Sequence, residues 1–169
     1  MIDDEGFDEL YRAARPGVAR AVFVVCGDAQ LAGEATDEAF VRAYERWDRV
    51  GVMASPTRWV VTVALNVVRK GERRRSRRLE QERKAAALDT TQHTPAEPSV
   101  ELWDALRALP RRQREAVALR YLADFTEADV ARSLGVRPGT VARLLHDARA
   151  SLATQLIPDT DEESTRGPT

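Results

Sequence analysis

Apolar residues recur along most of this chain at the spacing of an amphipathic α-helix, and no stretch alternates apolar and polar residues long enough to predict a strand. In the N-terminal half the pattern predicts helices over about residues 7–26 and 29–47, and a third that begins at Pro56. Ser55 can cap that third helix, and a proline suits its first turn. Pro16 is expected to kink or split the first helix. The predicted fold class is all-α.

The C-terminal half predicts shorter helices over about residues 100–109, 111–121, 127–134 and 138–156. Thr126 and Asp129 have the spacing of a capping box at the start of the third of these. Its apolar stripe is assigned to Ala128, Ala131 and Leu134.

A helix-turn-helix is predicted where the last two of these helices meet. Gly135 can take the left-handed conformation that ends the first helix, and Pro138 suits the first position of the second. Val136 between them is the apolar plug of the turn, and the second helix has one apolar face, formed by Val141, Leu144, Leu145 and Ala148. A helix held in this way can lie in a DNA major groove. The alternative is a helical hairpin inside an ordinary bundle.

The domain organisation follows from composition as well as from periodicity. We predict an N-terminal helical domain over residues 1–85 and a four-helix unit with the helix-turn-helix over residues 99–157. The polar segment 86–98 contains two prolines and predicts a flexible linker. The acidic segment 158–169 predicts a disordered tail.

Charge is distributed unevenly along the chain, although the formal net charge is only −1. Residues 69–84 hold nine Lys/Arg against three Asp/Glu, and residues 106–157 hold nine against five. Residues 85–105, which separate these zones, hold four acidic residues and no basic one. Two basic zones indicate two places of contact with a polyanion. The acidic residues 1–68 favour a protein partner.

The sequence lacks the residue patterns that several classes of function require. Cys26 is the only cysteine, which excludes an intrachain disulfide and predicts a buried core thiol. Neither His93 nor His146 has a partner at metal-ligand spacing. A glycine-rich phosphate loop and a nucleophile–base pair are also missing. We therefore predict no enzyme, no catalytic residue, no metal or other cofactor and no small-molecule substrate. We also predict a cytoplasmic protein, because no signal peptide or membrane span is evident.

Three segments of this sequence resemble a known family. The segment LPRRQREAVALRYL at 109–122 is similar to the opening of the promoter −35 domain of bacterial extracytoplasmic-function sigma factors. AGEATDEAF at 32–40 resembles the segment of these factors that docks on the clamp of RNA polymerase, and PTRWVVTVALN at 56–66 resembles their −10 melting helix. The resemblance covers about residues 7–156.

This resemblance implies a sigma factor that directs core RNA polymerase to specific promoters and initiates transcription. The implied partners are the clamp helices and flap of the core enzyme, promoter DNA and an anti-sigma factor. In the holoenzyme the protein would be nucleoid-associated. Two other functions stay open: a sigma-like protein that acts mainly through protein–protein contacts, and a helix-turn-helix regulator that works without polymerase.

The resemblance also implies roles for individual residues, according to their positions in the matching segments. Those implied to bind polymerase share one helix face and are Glu34, Asp37, Glu38 and Arg42. Those implied to contact −10 DNA are Arg58, Trp59, Asn66, Arg69, Lys70, Arg73, Arg74 and Arg75. A dense basic run can neutralise phosphates, whereas the alternative for these charges is a solvated face. Trp59 is as well explained by packing against Phe40 and Tyr44. Gly71 weakens the helix, so we expect the basic segment to order on DNA.

The residues implied to read the −35 element are Arg137, Thr140, Arg143, His146 and Arg149. The recognition helix departs from the family pattern at Arg137, Ala142, Arg143, Leu144 and Asp147. Asp147 would repel a phosphate, and Leu144, if exposed, would suit a protein partner instead of DNA. These departures keep the interaction-protein alternative open.

Overall fold

The computed structural model describes residues 4–83 and 100–156, and the side chains within 5–74 and 101–156. Helices account for nearly all of these residues, and no strand occurs among them. The all-α prediction is therefore confirmed. The predicted linker 86–98 and the predicted tail 158–169 lie outside the described residues.

The N-terminal helices are α1 (Asp4–Cys26), α2 (Ala29–Tyr44), α3 (Trp47–Val50) and α4 (Pro56–Arg83). Helices α1, α2 and α4 pack against one another. Gly27 separates α1 from α2 with a φ of 71°, a left-handed conformation that glycine adopts without strain. Asp28 then caps α2, because its carboxylate accepts a hydrogen bond of 2.9 Å from the backbone N–H of Leu31.

Helix α1 continues through Pro16, so the proline does not split it, which was one of the two predicted outcomes. Packing on both sides of the proline offsets the backbone hydrogen bond that a proline removes. Before it, the ring of Tyr11 lies 5.0 Å from that of Phe40. After it, Val18 and Val22 are fully buried.

Two other boundaries in this half differ from the predictions. Helix α2 ends at Tyr44 instead of at about residue 47, and a separate short helix, α3, begins at Trp47. The burial of Trp47 and Val50 anchors α3 to the core. Helix α4 continues through Gly71 to Arg83 without DNA. Extending a helix already fixed by packing costs far less than starting one, which explains the continuation.

The C-terminal helices are α5 (Val100–Ala108), α6 (Arg111–Val117), a π-helical segment (Ala118–Leu122), α7 (Glu127–Leu134) and α8 (Pro138–Leu156). The sequence predicts one continuous α-helix where α6 and the π segment occur. In the π segment the backbone N–H of Ala123 donates to the carbonyl of Ala118 at 3.1 Å. Its wider turn buries Leu119 and leaves Tyr121 and Leu122 exposed.

The helix-turn-helix forms at the predicted positions. Thr126 accepts from the backbone N–H of Asp129 at 3.2 Å, and Asp129 accepts from that of Thr126 at 3.3 Å, which completes the capping box. Gly135 ends α7 with a φ of 65°. The stripe assigned to α7 is wrong at one position, because Ala128 is exposed and Val130 takes its place in the core.

Helix α1 is shared by both halves of the molecule. It packs on α2 and α4, and also on α5, α6 and the π segment. Its stretch 21–25 is therefore buried at every residue. The ring of Phe23 meets that of Trp103 at 4.5 Å between centroids. One continuous hydrophobic core joins the N-terminal and the C-terminal helices in this structure.

Candidate nucleic-acid interface

The polymerase-facing residues predicted on α2 lie at the surface, but most of their charge is paired. Glu34, Asp37 and Glu38 are exposed. Arg15 of α1 donates two hydrogen bonds to the carboxylate of Asp37, at 2.8 and 3.0 Å. Arg42 forms an ion pair with Glu38 on the same helix. The surface is thus a network of paired charges, and Arg15 is a member that sequence reasoning missed.

An apolar groove of about 470 Å³ lies beside these charges. It is lined by Phe7, Asp8, Tyr11, Asp37, Phe40, Val41 and Tyr44. Val41 and Tyr44 are 58% and 41% exposed although they belong to a well-packed helix. An apolar surface next to paired charges suits a protein partner better than it suits nucleic acid.

The candidate −10 residues lie along α4, where positions 58, 62, 66, 69 and 73 follow one ridge of the helix. Arg58 stands near its start and is turned towards the C-terminal helices. Its guanidinium donates to the carboxylate of Asp129 at 2.8 Å and to the carbonyl of Asp124 at 3.2 Å. It also lies 5.8 Å from the centroid of the Phe125 ring, within the range of a cation–π contact.

Asp129 therefore holds two roles, because it caps α7 and binds Arg58. The hydroxyl of Thr126 donates to its carboxylate at 2.6 Å. This hydrogen bond, together with the charges of Arg58 and Arg132, lowers the pKa of Asp129. The carboxylate is charged in any neutral solution and remains available as a partner of Arg58.

Arg69, farther along the ridge, meets a buried carboxylate. Its Nη2 lies 3.3 Å from Oε2 of Glu115, whose residue is only 1% exposed. Arg111 and Arg112 also donate to Glu115, at 3.1 and 3.2 Å. Burial by itself would raise the pKa of Glu115, but the charges of Arg69 and Arg111 and their hydrogen bonds outweigh it and lower that pKa. A charged Glu115 thus joins α4 to α6.

The remaining ridge residues surround a basic cavity of about 390 Å³ between α4 and the C-terminal helices. Its lining residues are Asn66, Arg69, Lys70, Arg73, Arg112 and Leu134. Asn66 accepts a hydrogen bond from Arg69 at 3.2 Å, and the same guanidinium nitrogen donates to the carbonyl of Ser133 at 3.3 Å. Lys70, Arg73 and Arg74 are exposed. Arg75 lies outside the described side chains.

Trp59 is half-buried and packs against the hydrophobic core. The ring partners of Phe40 are Phe7 and Tyr11, which come from α1, and Trp47 joins them through Phe7 at 5.4 Å. An aromatic cluster does form around Phe40, but the residues that build it come from α1, α2 and α3. A role for Trp59 in holding a base stays a prediction.

The predicted −35 residues, on the recognition helix α8 and in the turn before it, face solvent. Arg137, Thr140, Arg143, His146 and Arg149 are exposed. Val141, Leu145 and Ala148, on the opposite face, are buried against the other C-terminal helices. Leu144 is half-buried and packs on the core, so only part of its side chain remains for a protein partner.

Asp147 lies within this exposed face and pairs with its neighbours. Its carboxylate is 3.8 Å from Nε of Arg143 and 3.4 Å from Nδ1 of His146. The Arg143 side chain remains 85% exposed, so this contact is weak and leaves the guanidinium accessible. Asp147 moderates the positive charge of the helix without covering it.

Sequence reasoning missed Glu115 and the second role of Asp129. The arginines three and four residues before Glu115 are a local sign of ion pairing. They do not reveal that Glu115 is buried, nor that Arg69 is its third partner. The contact between Arg58 and Asp129 joins residues 71 positions apart and has no local sign at all.

The described side chains also bear on the other expectations. They include no group of three His, Cys, Asp or Glu that could hold a metal ion. The Cys26 thiol donates to the carbonyl of Asp28 at 3.3 Å, and burial raises its pKa. Within the described ranges, no helix is both long enough and apolar enough to span a membrane.

Comparisons with known proteins agree for both halves. Residues 10–78 match the family described as Sigma-70 region 2, and residues 99–152 match Sigma-70, region 4. The chain is 32% identical over 138 residues to the ECF RNA polymerase sigma factor SigL of Mycobacterium tuberculosis, with 77% of each protein covered. It is 29% identical over 154 residues to the RNA polymerase sigma-E factor of Streptomyces avermitilis, covering 89% of this chain and 84% of that protein.

Among solved structures, the fold is similar to that of the sigma factor RpoE of Bartonella quintana, which was crystallised with the anti-sigma factor NepR. The TM-score is 0.76 at 20% identity, with 90% of this chain and 98% of that chain covered. At this level of identity the similarity concerns the fold alone.

Proposed function

The chain belongs to the extracytoplasmic-function (ECF) RNA polymerase sigma factors, and we propose that it divides promoter recognition between the ridge of α4 and the exposed face of α8. It acts in transcription initiation, with RNA polymerase core and promoter DNA as its partners. The proposed division assigns the −10 element to α4 and the −35 element to α8. Binding energy is then the contribution of this chain, and the polymerase does the chemistry.

The observation that carries this proposal is the face of α8. An arginine-bearing helix is fixed from behind by Val141, Leu145 and Ala148, and its outer side is exposed. This is the geometry that allows side chains near a helix N-terminus to reach base edges in the major groove. Arg143 is the best placed of them, because a guanidinium can contact guanine through two hydrogen bonds.

For the −10 element, the support is the concentration of positive charge along α4. Asn66, Lys70, Arg73 and Arg74 are exposed on a helix that continues to Arg83. Each cation that meets a phosphate releases counterions, which favours binding. Asn66 adds a group that can hydrogen-bond a base.

For polymerase, we propose that the α2 surface docks on the clamp helices. Its paired charges around Asp37 and Glu38 adjoin the groove formed by Val41 and Tyr44, which combines an apolar anchor with a polar rim. An anti-sigma factor is a further proposed partner, as NepR is for the Bartonella quintana protein. The cytoplasm, on nucleoid DNA, is the proposed place of action.

Run-off transcription with purified core polymerase on genomic fragments tests the proposal. We expect specific transcripts from the wild-type chain and their loss in the Arg143→Ala variant, with binding to core polymerase retained. The matched control is Gln155→Ala, at an exposed position near the far end of α8. Stable core binding without transcripts would instead favour a sigma-like interaction protein. DNA binding without core binding would favour a polymerase-independent regulator.

A further inference from the structure

The basic cavity between α4 and the C-terminal helices holds more positive charge than the chain itself neutralises. Its lining includes four cations, Arg69, Lys70, Arg73 and Arg112, and no carboxylate. Among the described side chains, Glu115 is the one carboxylate paired with any of these cations, and it accepts hydrogen bonds from Arg69 and Arg112. Three positive charges are therefore left without a negative partner from the protein.

We propose that this cavity binds a small anion made of linked phosphate groups, a diphosphate or triphosphate, in the free chain. The inference goes beyond the proposed function, which assigns Lys70 and Arg73 to DNA and gives Arg112 no role. The sequence predicted no small-molecule substrate, and this ligand is bound without being converted.

Two of the cations are available on α4. Lys70 and Arg73 are exposed, and neither forms a side-chain hydrogen bond or an ion pair within the described part of the chain. They lie three residues apart and therefore share one face of the helix. An ammonium and a guanidinium group placed side by side form strong, charge-assisted hydrogen bonds with phosphate oxygens.

Arg112 brings a third cation to the cavity from α6, and part of its guanidinium is unused. Its hydrogen bonds to Glu115, at 3.2 Å, and to the carbonyl of Leu134, at 3.4 Å, both use Nη1. Nε and Nη2 have no partner in the described part of the chain, and the side chain is 57% exposed. Arg15 binds Asp37 through this same pair of nitrogens. The free edge of Arg112 can hold two oxygens of a phosphate in the same way.

Arg69 is the fixed part of the cavity. Its side chain is 17% exposed and is held by Glu115, by Asn66 and by the carbonyl of Ser133. It contributes charge without having to be ordered when an anion binds. Glu115 is 1% exposed and is enclosed by three arginines, so its carboxylate does not oppose an anion in the cavity.

The volume and the charge of the cavity indicate the class of anion. Its 390 Å³ lies within the range of small-molecule sites, which is about 300–1,000 Å³. A single phosphate group carries at most about two negative charges at neutral pH and would leave part of the positive charge unmatched. The phosphates of DNA are separated by sugars, whereas linked phosphates share oxygens and concentrate their charge. A diphosphate or triphosphate therefore fits the cavity better than phosphate or a DNA strand.

Isothermal titration calorimetry on the free, full-length chain at constant ionic strength tests the proposal. The probes are tripolyphosphate, inorganic phosphate and ATP, without divalent cations. We expect one tripolyphosphate per chain, bound roughly tenfold or more tightly than phosphate, because it meets more of the cations. Equal binding of ATP and tripolyphosphate would identify the linked phosphates alone as the ligand, and tighter binding of ATP would identify a nucleotide.

Two pairs of neighbouring arginines supply matched variants, since one member of each pair lines the cavity and the other does not. Arg112→Ala is compared with Arg111→Ala, which also removes a hydrogen bond to Glu115. Arg73→Ala is compared with Arg74→Ala, which removes an exposed charge from the same helix. We expect the two cavity variants to weaken tripolyphosphate binding roughly five- to tenfold, and their controls less than about twofold.

The outcomes separate this inference from the proposed function. Equal weakening within both pairs, several tripolyphosphates per chain or no measurable binding would overturn the site, even if run-off transcription succeeds. A selective loss in the cavity variants together with failed transcription would uphold the site and reject the sigma mechanism. Circular dichroism verifies folding, and if Arg112→Ala does not fold, the exposed pair Arg73 and Arg74 supplies the comparison.

Discussion

Helices α4 and α8 both carry arginines proposed to contact DNA, but these arginines differ in their partners and in their exposure. On α4, Arg58 and Arg69 are engaged by carboxylates from the other half of the molecule. On α8, the only ion-pair partner of Arg143 among the described side chains is Asp147, at 3.8 Å, and 85% of the Arg143 side chain is exposed. The same residue type thus contributes to internal packing on one helix and stays exposed on the other. Exposure, rather than residue type, separates Arg69 from Arg143.

The largest expected effect concerns Glu115, the buried carboxylate that joins α4 to α6. Glu115→Gln should lower the free energy of unfolding by about 3 kcal/mol, because it removes the carboxylate from a buried cluster of arginines. Urea denaturation measures this value, with Glu127→Gln as control. A change as small as that of the control would mean that the cluster contributes nothing to stability.

The pH dependence of the same variant sharpens the test. The pKa of Glu115 is lower in the folded than in the unfolded state, so its stabilising effect is complete above the unfolded pKa of about 4.3. It is lost as pH falls through the lower folded pKa. The difference between wild type and Glu115→Gln should therefore shrink below about pH 4. A constant difference down to acid pH would contradict the assignment.

The next effect concerns the basic residues that follow Gly71 on α4. Replacing Arg73, Arg74 and Arg75 with Ala should reduce the slope of log K against log salt for promoter binding by the holoenzyme by about 2.7, at about 0.9 per phosphate contact. Filter binding from low to high salt measures the slope. The matched control replaces the exposed Arg12, Arg20 and Arg49, and should leave the slope unchanged. An unchanged slope in the first variant would remove the phosphate role.

A smaller effect is expected on α8. Arg143→Ala should reduce discrimination between the correct and a substituted −35 element by about 1–3 kcal/mol, the usual value of a bidentate base contact. Competition binding by the holoenzyme measures it, with binding to core polymerase as the internal control. Full discrimination in the variant would exclude Arg143 as a base-reading residue.

The smallest effect should have the opposite sign. Asp147→Asn removes the carboxylate beside Arg143 and should tighten −35 DNA binding by about two- to fivefold, as expected for an exposed ion pair. Asp104→Asn makes the same change of charge away from the recognition helix and is the control. Weaker binding by Asp147→Asn would show that Asp147 orients Arg143 instead of restraining it.

Local chemistry explains which parts of this structure were predictable. The bounds of α7 and α8 follow from Thr126, Gly135 and Pro138, each of which acts through its own backbone or its nearest neighbours. The all-α class follows in the same way from the spacing of apolar residues. The π-helical segment was not predictable, because Ala118 and Leu119 suit an ordinary α-helix equally well.

The contacts between α4 and the C-terminal helices could not be predicted from the sequence, for a different reason. Arg58, Asp129 and Glu115 each have an adequate local explanation, as a DNA contact, a capping residue or a member of an ion pair within one helix. Their joint arrangement arises from how the two halves pack. The nearest sign was the apolar stretch 21–25, since a helix buried on one side only does not need five successive core residues. The site residues themselves stay predictions until the variants are measured.

The sharing of α1 has a thermodynamic consequence. Because both halves pack on the same helix, neither can lose its structure without removing part of the support of the other. Heating the free protein should therefore produce a single calorimetric transition in place of two independent ones.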